Sequence, residues 1–185
     1  MVPNARKRRK KLSNDWVRLN RPPDGAAWGW LTKEMLESPA WQALGIWELR
    51  VLHRIWLEHM AHAAKANGRL IVTYADFRQF GVRGDSIADA IEVLEALGWI
   101  DITRRGRASF EDARFPSMYG LTWLPQPEPF KLATNRWKTC KTVEEVKAVI
   151  AVALERREQA RAAREARGFK GQRKRRVPHL KVVNG

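Results

Sequence analysis

Apolar side chains recur every three or four positions between residues 46 and 67. This spacing places them along one stripe of an amphipathic helix, and the stripe consists of Leu49, Leu52, Ile55, Trp56, His59, Met60 and Ala63. Asn67-Gly68 follows the stripe, and glycine readily adopts the left-handed conformation that ends many helices. The pattern therefore predicts a helix over 46–67 with Gly68 just beyond its last turn.

Shorter elements are predicted before this helix. Residues 27–31 (AWGWL) fit a short strand, and Thr32 is a suitable N-cap for a helix over 33–37. Ser38-Pro39 combines a favoured N-cap with proline at the first helical position, which indicates a further helical turn ending near Gly45.

After Gly68 the pattern alternates between strand and helix signals. The β-rich run 70–72 precedes Thr73 and Asp76, whose spacing is that of a capping box for a short helix over 74–80. A turn at 81–84 leads into a second helix over 84–97. The inner face of that helix is formed by Ile87, Ala90, Ile91, Leu94 and Leu97.

Two β-rich runs, 99–103 and 118–123, come next, and the polar segment 104–109 between them fits a hairpin tip. Three prolines lie in 125–141, which indicates a linker. A second capping-box pattern, Thr142 to Glu145, then begins a helix over 142–167 with apolar positions at Val143, Val146, Val149, Ile150, Ala153 and Leu154. This stripe either docks on the preceding domain or pairs with another copy, and its short length favours docking.

The order of elements predicts a mainly α fold with a small β-hairpin (α+β), in the form of a winged helix-turn-helix. We expect a basic arm at 1–25, the winged-helix domain at 26–124, the linker at 125–141, the C-terminal helix at 142–167 and a basic disordered tail at 168–185.

The net charge of +15 is concentrated at the two ends of the chain. Residues 1–21 have eight basic side chains against one acidic, and residues 156–185 have eleven against two, whereas residues 22–155 have sixteen against seventeen. A nearly neutral domain between two polycationic arms suits a long polyanion such as nucleic acid.

The segments SPAWQALG (38–45), LRVLHRIWLEHM (49–60), NGRLIVTYADFRQFGVRGDSIADAIEVLEALGWIDITRRGRA (67–108) and MYGLTW (118–123) resemble the winged-helix domain of plasmid and phage replication initiators. They are equally similar to small winged-helix regulators of bacterial mobile elements. The resemblance covers about residues 27–124, and it implies binding of double-stranded DNA through the helix that starts near Arg83 and through the hairpin at 104–109.

Three groups of DNA-contacting residues are expected. Base edges would be read from the second helix and the residue before it, the phosphate backbone would be contacted from the preceding helix and the hairpin tip, and the arms would follow the backbone. In that order, the groups are Arg83, Asp85, Ser86 and Asp89; Thr73, Arg78, Gln79, Arg104, Arg105 and Arg107; and Arg6, Lys7, Arg8, Arg9, Lys10, Lys11, Arg173, Lys174, Arg175 and Arg176.

The outer face of the second helix is acidic, with Asp85, Asp89, Glu92 and Glu95. Carboxylates repel phosphate but accept hydrogen bonds from cytosine, so Asp85 or Asp89 could read bases. Alternatively, Asp85 complements the helix dipole, while Glu92 and Glu95 face solvent away from the DNA.

Nothing in the sequence indicates catalysis, a cofactor, a metal or a small-molecule ligand. His53, His59 and His62 lack further ligands at metal-binding spacing, Cys140 has no base partner, and no phosphate-binding loop is present. The nine tryptophans are expected mainly in the core. Among them, Trp56 and Trp99 belong to predicted elements.

The sequence thus favours a non-enzymatic, sequence-specific DNA-binding protein that regulates transcription or initiates replication for a bacterial mobile element, with a possible homodimer. An arm-driven, non-specific RNA or DNA binder and a protein-interaction adaptor are the alternatives. The lone cysteine and the absence of a secretory signal or membrane span predict a cytoplasmic, nucleoid-associated protein.

Overall fold

The computed structural model describes residues 21–22, 24–63, 65–106 and 115–175. The chain divides into two compact units, Met1–Trp30 and Leu31–Gly185. In the first unit the described residues form a turn at Asp24 and Gly25, as the Pro-Pro-Asp-Gly sequence predicts. The expected strand over 27–31 is wrong, because its residues adopt no regular structure.

The second unit begins with two short helices, α1 (Lys33–Glu37) and α2 (Pro39–Gln42). Both predicted N-caps are confirmed: the Thr32 hydroxyl accepts from the Met35 N–H, and the Ser38 hydroxyl accepts from the Trp41 N–H, each at 3.2 Å. The Ser38 hydroxyl also donates to the Met35 carbonyl at 2.7 Å, so one side chain ends α1 and begins α2.

Helix α3 (Ile46–Ala61) buries Val51, Leu52, Ile55 and His59. It ends six residues before the predicted end. Asn67 lies outside the helix, and its side chain bonds to distant backbone groups instead. The Asn67 side-chain amide donates to the carbonyls of Leu121, Leu124 and Pro125 at 2.9–3.1 Å and accepts from the Leu121 N–H at 2.7 Å. Those long-range bonds fix the segment before the first strand, which a helix continuing through Asn67 could not reach.

A three-stranded antiparallel sheet and two further helices follow. The strands are β1 (Leu70–Ile71), β2 (Ile100–Arg104) and β3 (Met118–Leu121), and they lie in the order β1-β3-β2. Between β1 and β2 the chain forms α4 (Tyr74–Gln79) and α5 (Ile87–Ala96). Helix α5 begins three residues later than predicted.

The predicted linker contains regular structure. A small hairpin joins β4 (Gln126–Pro127) to β5 (Phe130–Lys131), and a 3₁₀ turn spans Arg136–Lys138. The last helix, α6 (Val143–Arg175), begins with the predicted capping box, in which the Glu145 N–H donates to the Thr142 hydroxyl and the Glu145 carboxylate accepts from the Thr142 N–H. It extends eight residues past the predicted end, so 168–175 is helix rather than part of a disordered tail.

Tryptophans form the centre of the core. Trp99 is fully buried, stacks on Trp137 with ring centroids 5.4 Å apart, and meets Trp41 and Trp123 edge to face at 5.3 and 6.0 Å. Its indole N–H donates to the Ala40 carbonyl at 3.2 Å. This cluster ties α2, β2 and the 3₁₀ turn together, and it confirms a core role for Trp99.

Gly98, directly before Trp99, allows the backbone of the 3₁₀ turn to approach the cluster closely. Its φ is +76°, and a Cβ there would lie 2.6 Å from the backbone carbon of Arg136. Both the conformation and the close approach require glycine. The 3₁₀ turn can therefore pack directly on the end of α5.

Helices make up about half of the described residues, and the remainder includes the small antiparallel sheet, which agrees with the predicted α+β class. Among the described helices, none combines the length and apolar character needed to cross a membrane. Residues 31–157 are called the body below, and residues 158–175, the last part of α6, are called the basic extension.

Candidate nucleic-acid interface

The N-terminus of α4 is capped by Thr73 together with Asp76, a carboxylate in the first turn of the same helix. The Thr73 N–H and hydroxyl both donate to Asp76 Oδ2 at 2.7 Å, and the Asp76 N–H donates to the Thr73 hydroxyl at 3.2 Å. These bonds with Thr73 lower the pKa of Asp76 below its ordinary value. A phosphate near Thr73 would meet this ionised carboxylate, which weakens the predicted backbone contact there.

Arg50 braces the turn between α4 and α5. Its guanidinium donates to the carbonyls of Phe80 and Gly81 at 3.4 and 3.1 Å. Sequence reasoning missed this residue, because nothing in the local pattern of α3 relates it to a turn thirty residues away. Arg78 and Gln79, both predicted backbone contacts, are exposed at the end of α4.

Three of the predicted base-reading residues form one cluster before α5. The Arg83 guanidinium pairs side-on with the Asp85 carboxylate, through Nε at 3.1 Å and through Nη2, and the Ser86 hydroxyl donates to the same carboxylate at 3.2 Å. The hydrogen bond from Arg83 lowers the pKa of Asp85, and the same bond raises the pKa of Arg83. Asp85 is thereby paired with Arg83, and it would have to give up this pair to accept from a base.

The other predicted base contact, Asp89, faces the C-terminal helix. Its carboxylate pairs with Arg157 of α6. This helix packs on α5 through Val146, Val149, Ile150 and Ala153, so the docking alternative for α6 is the one observed.

The residue that follows β2 also contacts α5. Arg105 pairs with Glu95 at 2.7 Å and with Glu92 at 3.6 Å. Glu92 and Glu95 therefore do not simply face solvent, as one alternative held. Arg104 lies over the Phe115 ring, 5.8 Å from its centroid, and donates to the Pro116 carbonyl at 3.4 Å. Arg107, the third hairpin arginine, lies outside the described residues.

Each acidic residue on the outer face of α5 or just before it thus meets an arginine, and the three arginines come from three separate parts of the chain. The pairs are Arg83–Asp85, Arg157–Asp89 and Arg105 with Glu92 and Glu95. They lie at the surface, where an ion pair contributes about 0–1 kcal/mol. Such pairs are weak enough for an arginine to exchange its carboxylate for a phosphate.

The predicted arm residues fall into two groups. Arg173, Lys174 and Arg175 belong to the helical backbone of α6. Arg6 to Lys11 and Arg176 lie outside the described residues. In the described part of the basic extension, Arg161 is exposed and has only long contacts with Glu158 and Glu165, at 3.7 and 4.0 Å.

Features of metal, thiol or small-molecule sites are few in the described part of the chain. No group of three or more His, Cys, Asp or Glu side chains there could hold a metal ion. Burial raises the pKa of the Cys140 thiol, which disfavours the reactive thiolate. Two shallow clefts, of about 290 Å³ beside Cys140 and about 210 Å³ between Asp89 and Arg161, are smaller than usual small-molecule sites.

No protein-family model, curated protein or solved structure matches this chain.

Proposed function

We propose that this protein is a non-enzymatic binder of double-stranded DNA, in which residues 31–124 act as a winged helix. Helix α5 serves as the recognition helix, the β2–β3 hairpin serves as the wing, and the arms add affinity. The role is that of a transcriptional regulator or replication initiator of a bacterial mobile element, acting in the cytoplasm at the nucleoid.

The observation that carries the proposal is the placement of α5 directly beside the β2–β3 hairpin. Arg105 bridges the two, and the strand order β1-β3-β2 puts β2, the first strand of the hairpin, at an edge of the sheet. Arg83 before α5 and Arg104 and Arg105 on the hairpin are all exposed. A helix flanked by a basic hairpin suits a major groove with its adjoining phosphates.

A second candidate function is arm-driven, non-specific binding of nucleic acid. The engagement of the α5 carboxylates by arginines favours it, since these pairs reduce the number of side chains free to read bases.

Selection of bound sequences from a random duplex library, using the full chain, tests the proposal. A specific binder enriches one motif and prefers it over random DNA by about 10³ or more. Replacing a base-contacting arginine costs about 1–3 kcal/mol of discrimination, so R83A should relax the motif at one position. The matched control is K33A on α1, which removes an exposed positive charge away from this surface. Failure to enrich any motif would overturn the proposal in favour of non-specific binding.

In cells, mapping the bound sites separates the two biological roles. A regulator should occupy promoters, whereas an initiator should occupy repeated sites at one origin.

A further inference from the structure

The two parts of α6 differ in what covers them. Between residues 143 and 157, Val146 and Ala153 are buried and Arg157 pairs with Asp89. In the basic extension, every residue at 158–163 and 165–166 is exposed. At these described side chains the extension therefore continues the docked helix without being buried against the body.

The extension has no apolar stripe for a protein partner. Phe169 is its only apolar side chain larger than alanine, whereas coiled coils and helix-in-groove partners need large apolar residues at repeated helical positions. Instead, its eighteen residues contain seven basic and two acidic side chains. Its chemistry is that of a binder for a strong polyanion.

The helical register separates these charges. Positions 157, 161 and 164 follow one another at spacings of four and three, so they share one face, while Glu158 and Glu165 lie seven residues apart on a neighbouring face. At 1.5 Å per residue the extension is about 27 Å long. The basic part of the shared face, from Arg157 to position 164, spans about 10 Å of this length.

This helix is poorly stabilised when alone. Gly168 and Gly171 lie within it and weaken helix formation, and like charges three or four residues apart, such as Lys170 and Lys174, repel. The end of a helix frays where no tertiary packing holds it. A polyanion would remove the repulsion, so binding and helix formation should reinforce each other.

We propose that the basic extension is a second DNA-contacting element, which binds the backbone of B-form duplex DNA as a helix and gains helicity when it does so. The proposal rests on the proposed function only for the choice of ligand. The major groove of B-form DNA admits a helix with its side chains, whereas the deep, narrow major groove of A-form RNA does not. This helix extends the contact surface of α5 beyond the part that reads bases.

The test uses the full chain and two variants. R161Q/R164Q/R167Q removes three positive charges while keeping good helix formers, and E158Q/E165Q removes both acidic residues from the same segment as a matched control. Binding is measured to a random-sequence B-form duplex at several salt concentrations, and helicity is followed by circular dichroism as duplex is added.

For the unmodified chain we expect helical signal to rise on addition of duplex DNA and not on addition of double-stranded RNA. The triple variant should bind at least tenfold more weakly at low salt, with a plot of log K against log salt that is shallower by about 2–3, since each lost phosphate contact removes about 0.9. E158Q/E165Q should bind several-fold more tightly. An unchanged salt slope in the triple variant, no gain of helicity, or equal gains with DNA and RNA would each overturn the inference.

Failure here is distinguishable from failure of the proposed function. If the triple variant keeps its slope while the chain still enriches a motif, the extension is not a contact element but sequence-specific binding stands. If the slope changes although no motif is enriched, the extension binds DNA and the recognition role of α5 fails.

Discussion

Charge is arranged differently in the body at 31–157 and in the basic extension at 158–175. In the body, arginines around α5 lie against carboxylates that come from distant positions, such as Arg157 on Asp89 and Arg105 on Glu95. In the extension, basic residues outnumber acidic ones by seven to two, and Arg161 has only contacts of 3.7 and 4.0 Å with its neighbours. The charges around α5 are therefore paired within the body, whereas the extension has an excess of positive charge in its sequence.

The body and the basic extension also differ in how their side chains are packed. The body is held by an apolar core around Trp99, while the described side chains of the extension are exposed. Burial of apolar area drives folding through short-range contacts, whereas exposed charge acts at long range and is screened by salt. We therefore expect mutations in the apolar core of the body to change stability and mutations of exposed charges to change affinity.

The largest effect is expected from Trp99→Ala. Removing a fully buried indole that packs on three other tryptophans should lower the free energy of unfolding by about 3–5 kcal/mol. Urea unfolding followed by far-ultraviolet circular dichroism measures it. Phe130→Ala, at a side chain that is 72% exposed, is the control and should change stability by less than about 0.5 kcal/mol. Similar losses in both variants would contradict the assignment of the core.

Val146→Asp tests whether the docked part of α6 belongs to the body. Val146 is fully buried, so a carboxylate there would be desolvated and should cost about 3 kcal/mol. Val152→Asp places the same charge on the same helix at a side chain that is 55% exposed, and it should cost far less. Equal stability of the two variants in urea would mean that α6 does not dock in solution.

Glu92→Gln combined with Glu95→Gln removes the two carboxylates that pair with Arg105, so the surface of the body should gain an unpaired positive charge. Both substitutions free Arg105 for phosphate, so random-sequence duplex should bind several-fold more tightly, and the salt slope should steepen by about 0.9 for one added contact. Glu34→Gln with Glu37→Gln is the matched control, since it also removes two carboxylates paired with basic residues, Lys138 and Lys33, but on α1. If the control variant gains as much DNA affinity, the change in net charge explains the gain and the release of Arg105 does not.

The smallest effect on stability is expected from lowering the pH, which favours protonation of histidines of the body. Desolvation lowers the pKa of His59 below its ordinary value of 6.5, and its Nδ1 has no hydrogen-bond partner among the described residues. The unfolded state therefore takes up a proton more readily, and stability should fall as pH drops through 6.5 towards 5. The extension contains no histidine and should not respond.

His59→Gln should flatten this pH dependence in urea unfolding measured between pH 7 and 5, although the lowered pKa of His53 leaves part of it in place. His62→Gln, at an exposed histidine directly after the same helix, is the control. A slope that is unchanged in His59→Gln would show that other groups carry the dependence.

Local sequence signals predicted the starts of elements better than their ends. The caps at Thr32, Ser38 and Thr73 depend on residues within three positions of each other, and all three form as expected. The end of α3 was misplaced because Asn67 bonds to residues more than fifty positions away. A helix stop signal does not reveal such distant partners.

The sequence alone determined where the net charge lies, which segments are apolar and where the capped helices begin, because those properties depend on composition and on residues close together in the chain. Only the tertiary structure decided that Arg157 meets Asp89 across 68 positions and that Arg105 meets Glu95 across ten. These pairings follow from how α5, α6 and the hairpin pack, and packing depends on the shapes of many side chains at once. The same acidic positions that invite prediction as base readers are therefore engaged by arginines within the fold.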